Sequence, residues 1–294
     1  MLKEGTITVF TPTYNRAYIL PRLYHSLCRQ TNKHFQWIVI DDGSTDNTHE
    51  LIKEWEQEKY VKIKYIFQEN SGKQQAHNVG VEKTETELFV CVDSDDYLID
   101  TAIEMVLDCW KKNKKGIGIL CKRGVDLSCP ITTWNGNIEY ATLTEAVHFN
   151  NLSGDTMLVF RTDVIRKYRF PKFENEKFIP ESYLYDLLDQ EGKLYFLPKI
   201  LYLCEYLPDG YTANIRRINA ENPNGYLAYI RQRLELDTTF LAKVKDTIRY
   251  IAMKCVKNDG GLLKDAINPI LVAFLFIPGW LFYRKVYYKQ IRRK

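Results

Sequence analysis

The chain has 294 residues, 45% of them hydrophobic and 13% aromatic, and a formal charge of +4. That is apolar matter enough for one large or two modest packed domains, and it excludes a disordered chain. The charge is uneven: residues 226–294 hold 14 Lys and Arg against 5 Asp and Glu, leaving residues 1–225 at −5. This argues against a nucleic-acid groove across the main body, and for a basic tail that meets an anionic surface.

The first strand is expected at ITVF, directly after the N-terminus, with no long apolar leader, so secretion is not indicated. From Ile7 to Cys121, short apolar runs alternate with helix-period segments. ITVF precedes Ile19, Leu20, Leu23, Tyr24 and Leu27 at helical spacing; WIVI precedes Leu51, Ile52 and Trp55; VKIKYIF precedes a short segment from Gln75 to Val81. LFVCV then precedes Ile103, Val106, Leu107 and Trp110, and IGIL follows. Strands and helices taking turns imply crossovers and a mainly parallel sheet with helices on both faces. Ligands of such sheets sit beyond the carboxyl ends of the strands. Polar clusters do follow each strand: TPTYNR, DDGSTDN, QENSGKQQAHN and DSDDY.

After Lys122 the pattern loosens into a connecting excursion with a turn at Asn135-Gly136. TMLVF reads as a strand and TDVIRKY as a short helix, and another helix opens near Glu181. KLYFLP and ILYLCEY read as two strands, PDGYTANIRR as a loop, and the chain from Pro223 to about Lys257 as helical. The apolar segment 267–283, INPILVAFLFIPGWLFY, is short for a spanning helix and is interrupted by Pro278-Gly279. With Trp280, Tyr283, Tyr287, Tyr288 and a cationic end, it is expected to lie in or re-enter a membrane surface; the alternative is a helix buried on the core. The seven cysteines, Cys28, Cys91, Cys109, Cys121, Cys129, Cys204 and Cys255, form no CxxC or Cys/His cluster. They read as free thiols in a reducing cytoplasm.

The stretch FVCVDSDDYLID places Asp93, Asp95 and Asp96 together at a strand end. Like charges this close repel unless a cation sits among them. Asp100 or Thr101 can cap the next helix, and Thr101-Ala-Ile-Glu104 has capping-box spacing, which leaves the three acids without a capping task. A D-x-D at a strand end suits one hard divalent cation, Mg2+ or Mn2+, whose usual partner is a phosphate. Asp41-Asp42 at the end of the second strand suits an imide or ribose hydroxyl, the needs of a nucleotide site.

ITVFTPTYNR, WIVIDDGSTDNT, NSGKQQAHNVGV and LFVCVDSDDY, in this order, resemble the nucleotide-sugar half of an inverting family 2 glycosyltransferase with the GT-A fold, over residues 3 to 214. The resemblance implies that Thr11, Pro12 and Tyr14 line a uridine pocket with Asp42 accepting from the base. Lys73 and Asn78 would come near base and phosphates, Asp93 would hold ribose, Ser94 would belong to the same site, and Asp95 would ligate the metal. It further implies a GT-A domain at 1–215, divided into a donor half (1–122) and an acceptor half (123–215), ahead of a helical region at 216–294. His77 departs from the pattern, since relatives often carry Arg there. A base to take the acceptor proton is implied in the second half, where FIPES offers Glu181, with Asp186 and Glu176 as alternatives. Glu181 is followed by Ser where a Glu-Asp pair is usual. Arg216 and Arg217 could close on a diphosphate about a hinge at Gly210.

The whole reads as an enzyme that moves a single sugar, with inversion, from a UDP-sugar to a lipid-linked or saccharide acceptor. It would work at the cytoplasmic face of the membrane in surface-polysaccharide assembly. No Q-x-x-R-W motif points to processive synthesis. The alternatives are a non-catalytic nucleotide-sugar-binding subunit or sensor, and a nucleotidyltransferase, for which the Gly-rich, Lys-bearing loop after the first strand is missing.

Overall fold

A computed structural model describes residues 2–205, 211–236, 239–258 and 260–291. The first part of the chain alternates as expected: β1 (Lys3–Thr13), α1 (Leu20–Cys28), β2 (Phe35–Asp41), α2 (Thr48–Glu58), β3 (Ile63–Phe67), α3 (Lys73–Lys83) and β4 (Thr86–Cys91). Then come β5 (Tyr97–Leu98), α4 (Ala102–Lys112), β6 (Gly118–Gly124), β7 (Tyr140–Ala141), α5 (Leu143–Asn150), β8 (Thr156–Arg161), α6 (Thr162–Ile165), α7 (Ser182–Leu188) and β9 (Leu194–Leu203). Five helices follow: α8 (Tyr211–Glu221), α9 (Pro223–Leu236), α10 (Phe240–Lys257), α11 (Pro269–Val286) and α12 (Tyr288–Ile291).

The strands form a sheet in the order β3-β2-β1-β4-β8-β6-β9-β5, with β7 paired to β9. β1, β2, β3 and β4 are mutually parallel, and β8 lies antiparallel between β4 and β6. β2 is buried along its whole length, which is why it reads as a continuous apolar run rather than an alternating one. Leu20, Leu23, Tyr24 and Leu27 of α1 face the sheet at helical spacing. There Tyr24 stacks on Trp55 of α2 at 4.2 Å, and both rings stack on Trp37. The strand order steps outward from β1 to β3 and then jumps back across β1 to β4. β1 and β4 therefore flank a topological switch point, the place where open α/β sheets leave a crevice.

Two compact units emerge, Met1–Arg169 with Leu187–Glu205, and Phe170–Asp186 with Tyr206–Lys294. Residues 170–186 thus group with the C-terminal helices, where the sequence suggested one domain to residue 215. The reason is local: Glu176 accepts from the backbone and side-chain amides of Asn224 and from Gly225 N, and Asn222 accepts from Lys177 N and Phe178 N. Leu227, Ile230, Tyr250, Ile251, Met253 and Val272 form the core of this second unit.

Several local expectations are corrected. KLYFLP and ILYLCEY form a single strand, β9, whose register against β6 jumps from Cys121↔Leu197 to Lys122↔Ile200. The bulge absorbs Pro198, which has no N–H for the ladder. PDGYTANIRR is helical from Tyr211 onward, and Gly210 lies outside the described residues. Arg216 and Arg217 are exposed on that helix. α11 runs unbroken through Pro278-Gly279 and is the one described helix long and apolar enough to cross a membrane. The cysteines are all free thiols.

Candidate active site

The four polar loops lie at the carboxyl ends of β1, β2, β3 and β4, and hydrogen bonds join them in series. Asn15, after β1, sits at φ 52°, donates its N–H to Ser44 Oγ (2.8 Å) and accepts from Thr45 N through Oδ1 (2.8 Å). Ala17 N adds a bond to Asp46 (3.0 Å). The second loop joins the third through Asp42. Its Oδ1 accepts from Gln68 Nε2 (2.7 Å) and Ser71 N (2.8 Å), and its Oδ2 from Gly72 N (2.8 Å). Gly43, at φ 86°, allows the close approach, because a Cβ there would stand 2.9 Å from Asn70 N. The third loop joins the fourth through Lys73 Nζ, 2.7 Å from Asp93 Oδ1.

The acidic loop after β4 separates its three carboxylates by environment. Asp93 donates its backbone N–H to Tyr202 Oη (3.0 Å), and the Tyr202 hydroxyl donates to Asp96 Oδ2 (2.7 Å). The Arg123 guanidinium lies 3.9 Å over the Tyr202 ring and 3.9 Å from Asp96 Oδ2. Burial would raise the Asp93 carboxyl, but Lys73 and Arg123 outweigh it and hold that group below its ordinary range. Burial, followed by repulsion from Asp93, pushes Asp96 up to about 7 and raises Asp95 as well. Asp93 therefore has a cation, Asp96 has a phenol, and the half-buried Asp95 accepts its own backbone N–H, with Arg16 and Lys73 as lesser influences than burial and the Asp93 charge. An anion crowded by another anion fits a divalent cation. No group of three or more His, Cys, Asp and Glu is gathered for a metal among the described residues, so Mg2+ or Mn2+ at Asp95 would draw most ligands from phosphate oxygens and water.

The residues singled out in sequence fare differently. Asp42, Lys73, Asp93, Ser94 and Asp95 come together through this bonded network or lie within its fourth loop. Tyr14 is 48% exposed beside the crevice, while Pro12 is buried in β1. Thr11 is turned inward: it is fully buried and its hydroxyl accepts the Trp37 indole N–H at 2.9 Å. Its side chain cannot line a base pocket. Asp42 is likewise buried and occupied by the third loop, so it shapes the pocket whether or not it also accepts from a base. Asn78 donates to Gln75 Oε1 (3.3 Å), within α3.

His77 does not stand in for a phosphate-binding arginine. It is buried, with Phe10 and Phe89 edge-on at 5.5 and 5.3 Å. Burial, then Lys73, depress its pKa from 6.5 to about 3, so it stays uncharged. The expected capping box of α4 is also absent: Thr101 makes no side-chain cap, Glu104 accepts from Thr31 (2.7 Å), and Asp100 pairs with Arg29 (3.1 Å). The acids of the fourth loop are thus freed from capping by their own contacts, not by a substitute cap. Sequence reasoning left Asp96 without a role and missed Tyr202 and Arg123.

Glu181 belongs to the second unit and is described within it. It is half-buried, immediately ahead of α7, where its carbonyl accepts from Leu184 N and Tyr185 N. The two alternatives are committed elsewhere. Glu176 accepts three N–H bonds from Asn224 and Gly225, and Asp186 lies 3.6 Å from the Arg233 guanidinium. Arg233 continues to the buried Asp246 (2.8 Å), which also binds Arg249 (2.6 Å).

A family model described as Glycosyl transferase family 2 matches residues 8–169, more than half of the chain. Glycosyltransferase GlyA of Streptococcus pneumoniae is 36% identical over 104 residues, covering 35% of this chain and 15% of GlyA. The teichoic acid poly(glycerol phosphate) polymerase of Staphylococcus epidermidis is 26% identical over 171 residues, covering 58% of this chain and 24% of the polymerase. The chain thus spans less than a quarter of the length of either relative. Among solved structures, S. aureus TarS 1-349 in complex with UDP-GlcNAc superposes with a TM-score of 0.61 at 16% identity, over 97% of this chain and 82% of that one. The mannosyltransferase PcManGT of Pyrobaculum calidifontis, in complex with GDP-Man and Mn2+, does so with 0.57 at 15% identity, over 100% and 85%. The fold is GT-A-like, with a mostly parallel central sheet flanked by helices.

Proposed function

Because the chain belongs to glycosyl transferase family 2, we propose that it moves a single sugar from a nucleotide-sugar donor, UDP-linked, to a lipid-linked or saccharide acceptor with inversion. The observation that carries this reading is the unit of four interlocked strand-end loops at the β1/β4 switch point, with Asp95 half-buried beside Asp93 and raised by burial and by that neighbouring charge. The nucleotide sugars bound by TarS and PcManGT support the donor class, and the Mn2+ bound by PcManGT supports a divalent cation.

In this reading Asp93 and the loop after β1 hold the nucleoside, and Asp95 ligates Mg2+ or Mn2+, which when bound would offset charge on the departing diphosphate. Glu181 takes the acceptor hydroxyl proton as that oxygen bonds the anomeric carbon; the bond from that carbon to the phosphate oxygen breaks and the nucleoside diphosphate leaves. Asp96 and Tyr202 position the acidic loop without touching substrate. The polymer chemistry of the Staphylococcus epidermidis relative supports a setting in surface-polymer assembly, and the basic C-terminal region supports work at the cytoplasmic face of a membrane.

The test is release of nucleoside diphosphate from a panel of UDP- and GDP-sugars with Mg2+ or Mn2+, with binding followed by calorimetry. Asp95→Asn should abolish metal-dependent binding. Glu181→Gln should bind UDP normally yet lose transfer by about 100-fold or more, the usual scale for a lost general base. Normal turnover in Glu181→Gln would move the base elsewhere. Binding without turnover for every donor would favour a nucleotide-sugar-binding subunit instead.

A further inference from the structure

α11 is 18 residues long, and only Val272 and Gly279 along it are buried. Gly279 marks the face turned to α10, since a Cβ there would stand 2.6 Å from the Ile251 side chain. Leu275, Phe282, Tyr283 and Val286 are partly buried against the core of the second unit, and the opposite side of the helix is apolar and open. Ile270 (72% exposed), Phe274 (80%), Ile277 (68%) and Leu281 form one stripe at helical spacing, which Phe276 and Trp280 widen. A contiguous exposed apolar stripe of this kind marks a surface meant to be covered. At its end the Arg284 guanidinium stacks 3.9 Å over Tyr288, with Lys285 and Lys289 exposed nearby in sequence.

We infer that α11 lies in the plane of a lipid bilayer, its Phe274–Ile277 stripe sunk among the headgroups and its Arg284 end paired with anionic lipid. Two observations set this orientation against a span. The opposite face of α11 is packed on α10, which carries the buried Asp246 with Arg249, and Lys254 with Asp265 (2.7 Å). Crossing the membrane would draw these ions toward hydrocarbon at a cost of several kcal/mol. Pro278 has no N–H for the Phe274 carbonyl, and at headgroup depth that carbonyl still meets polar headgroups and their water, whereas a span would set it in hydrocarbon without a donor. Arg284, Lys285 and Lys289, clustered at one end of the stripe, are the groups that would pair with anionic headgroups. The inference is independent of the donor site, and its test does not read activity.

The full chain is floated with vesicles of phosphatidylcholine, with and without phosphatidylglycerol. Binding should require phosphatidylglycerol. It should fall roughly thirty-fold in Arg284→Gln with Lys285→Gln, at about 1 kcal/mol per charge removed near the surface. Phe274→Glu with Ile277→Glu should also abolish it, and because these side chains are solvent-exposed, circular dichroism should be unchanged. Trp280 emission, isolated by comparison with Trp280→Phe, should be quenched more by lipids brominated near the headgroup than near the chain ends. Alkaline carbonate should release the bound protein. Flotation that survives the Gln or the Glu variants, stronger quenching by deep bromines, or carbonate resistance would overturn the inference. So would a dimer in solution that the Glu variants dissociate while flotation persists.

Discussion

His77 provides a quantitative check on the buried side of the donor loops. The imidazole is 8% exposed, packed against the edges of Phe10 and Phe89, and its pKa falls from 6.5 to about 3 because burial disfavours the cation and Lys73 adds repulsion, against a weaker pull from Asp93. The folded state therefore holds His77 neutral across the physiological range, while the unfolded chain protonates it near its ordinary pKa. A depressed folded pKa contributes stability that is complete above pH 6.5 and is lost as pH falls toward 3. At about 1.36 kcal/mol per unit, the loss between pH 7 and pH 5 is about 2 kcal/mol, and the full window is bounded near 5 kcal/mol. His77→Phe keeps an aromatic ring at the site and removes the titration. Urea unfolding at pH 7 and pH 5 should show the parent losing about 2 kcal/mol more than the variant. Equal losses would refute the reasoning and mean that His77 reaches solvent or a counter-charge when protonated.

Glu176→Ala should destabilise the second unit by about 2–3 kcal/mol, because three N–H donors lose a charged acceptor, with hydrogen exchange rising first at Asn224 and Gly225. Gly80→Ala should cost about 1–3 kcal/mol in thermal unfolding, since its Cβ would stand 2.4 Å from the Phe10 ring. Tyr202→Phe removes both the hydroxyl that accepts from Asp93 N and the proton given to Asp96. It should weaken metal-dependent UDP binding several-fold while leaving sheet content by circular dichroism unchanged; unchanged affinity would exclude a positioning role for Tyr202.

The alternation of apolar runs and helical periods was readable because crossover units keep sequence neighbours close in space, and the polar loops after β1, β2, β3 and β4 follow from it. Asp93 and Asp95 were legible because a charged pair directly after a buried strand has few structural explanations. What stayed hidden depends on distant partners or on direction. Tyr202 meets the acidic loop from 106 to 109 positions away, and Glu176 finds Asn224 from 48 away. Thr11 was misassigned because β1 is buried on both faces near its end, so alternation cannot tell which way a residue points. Pro278 was read as a break, but a proline inside a helix removes one backbone hydrogen bond, and the 18-residue α11 continues through that single loss.

The order in which the strand-end loops are joined has its own consequence. The links run from Asn15 to Ser44, from Asp42 to Gly72 and from Lys73 to Asp93, and Arg16 of the first loop pulls electrostatically on Asp93 and Asp95 of the fourth. A defect at Asp42 opens the joint between the second and third loops while the first keeps its hold on the fourth, so a carboxylate that is already engaged by backbone and amide donors governs how far a disturbance on one side of the crevice is felt on the other.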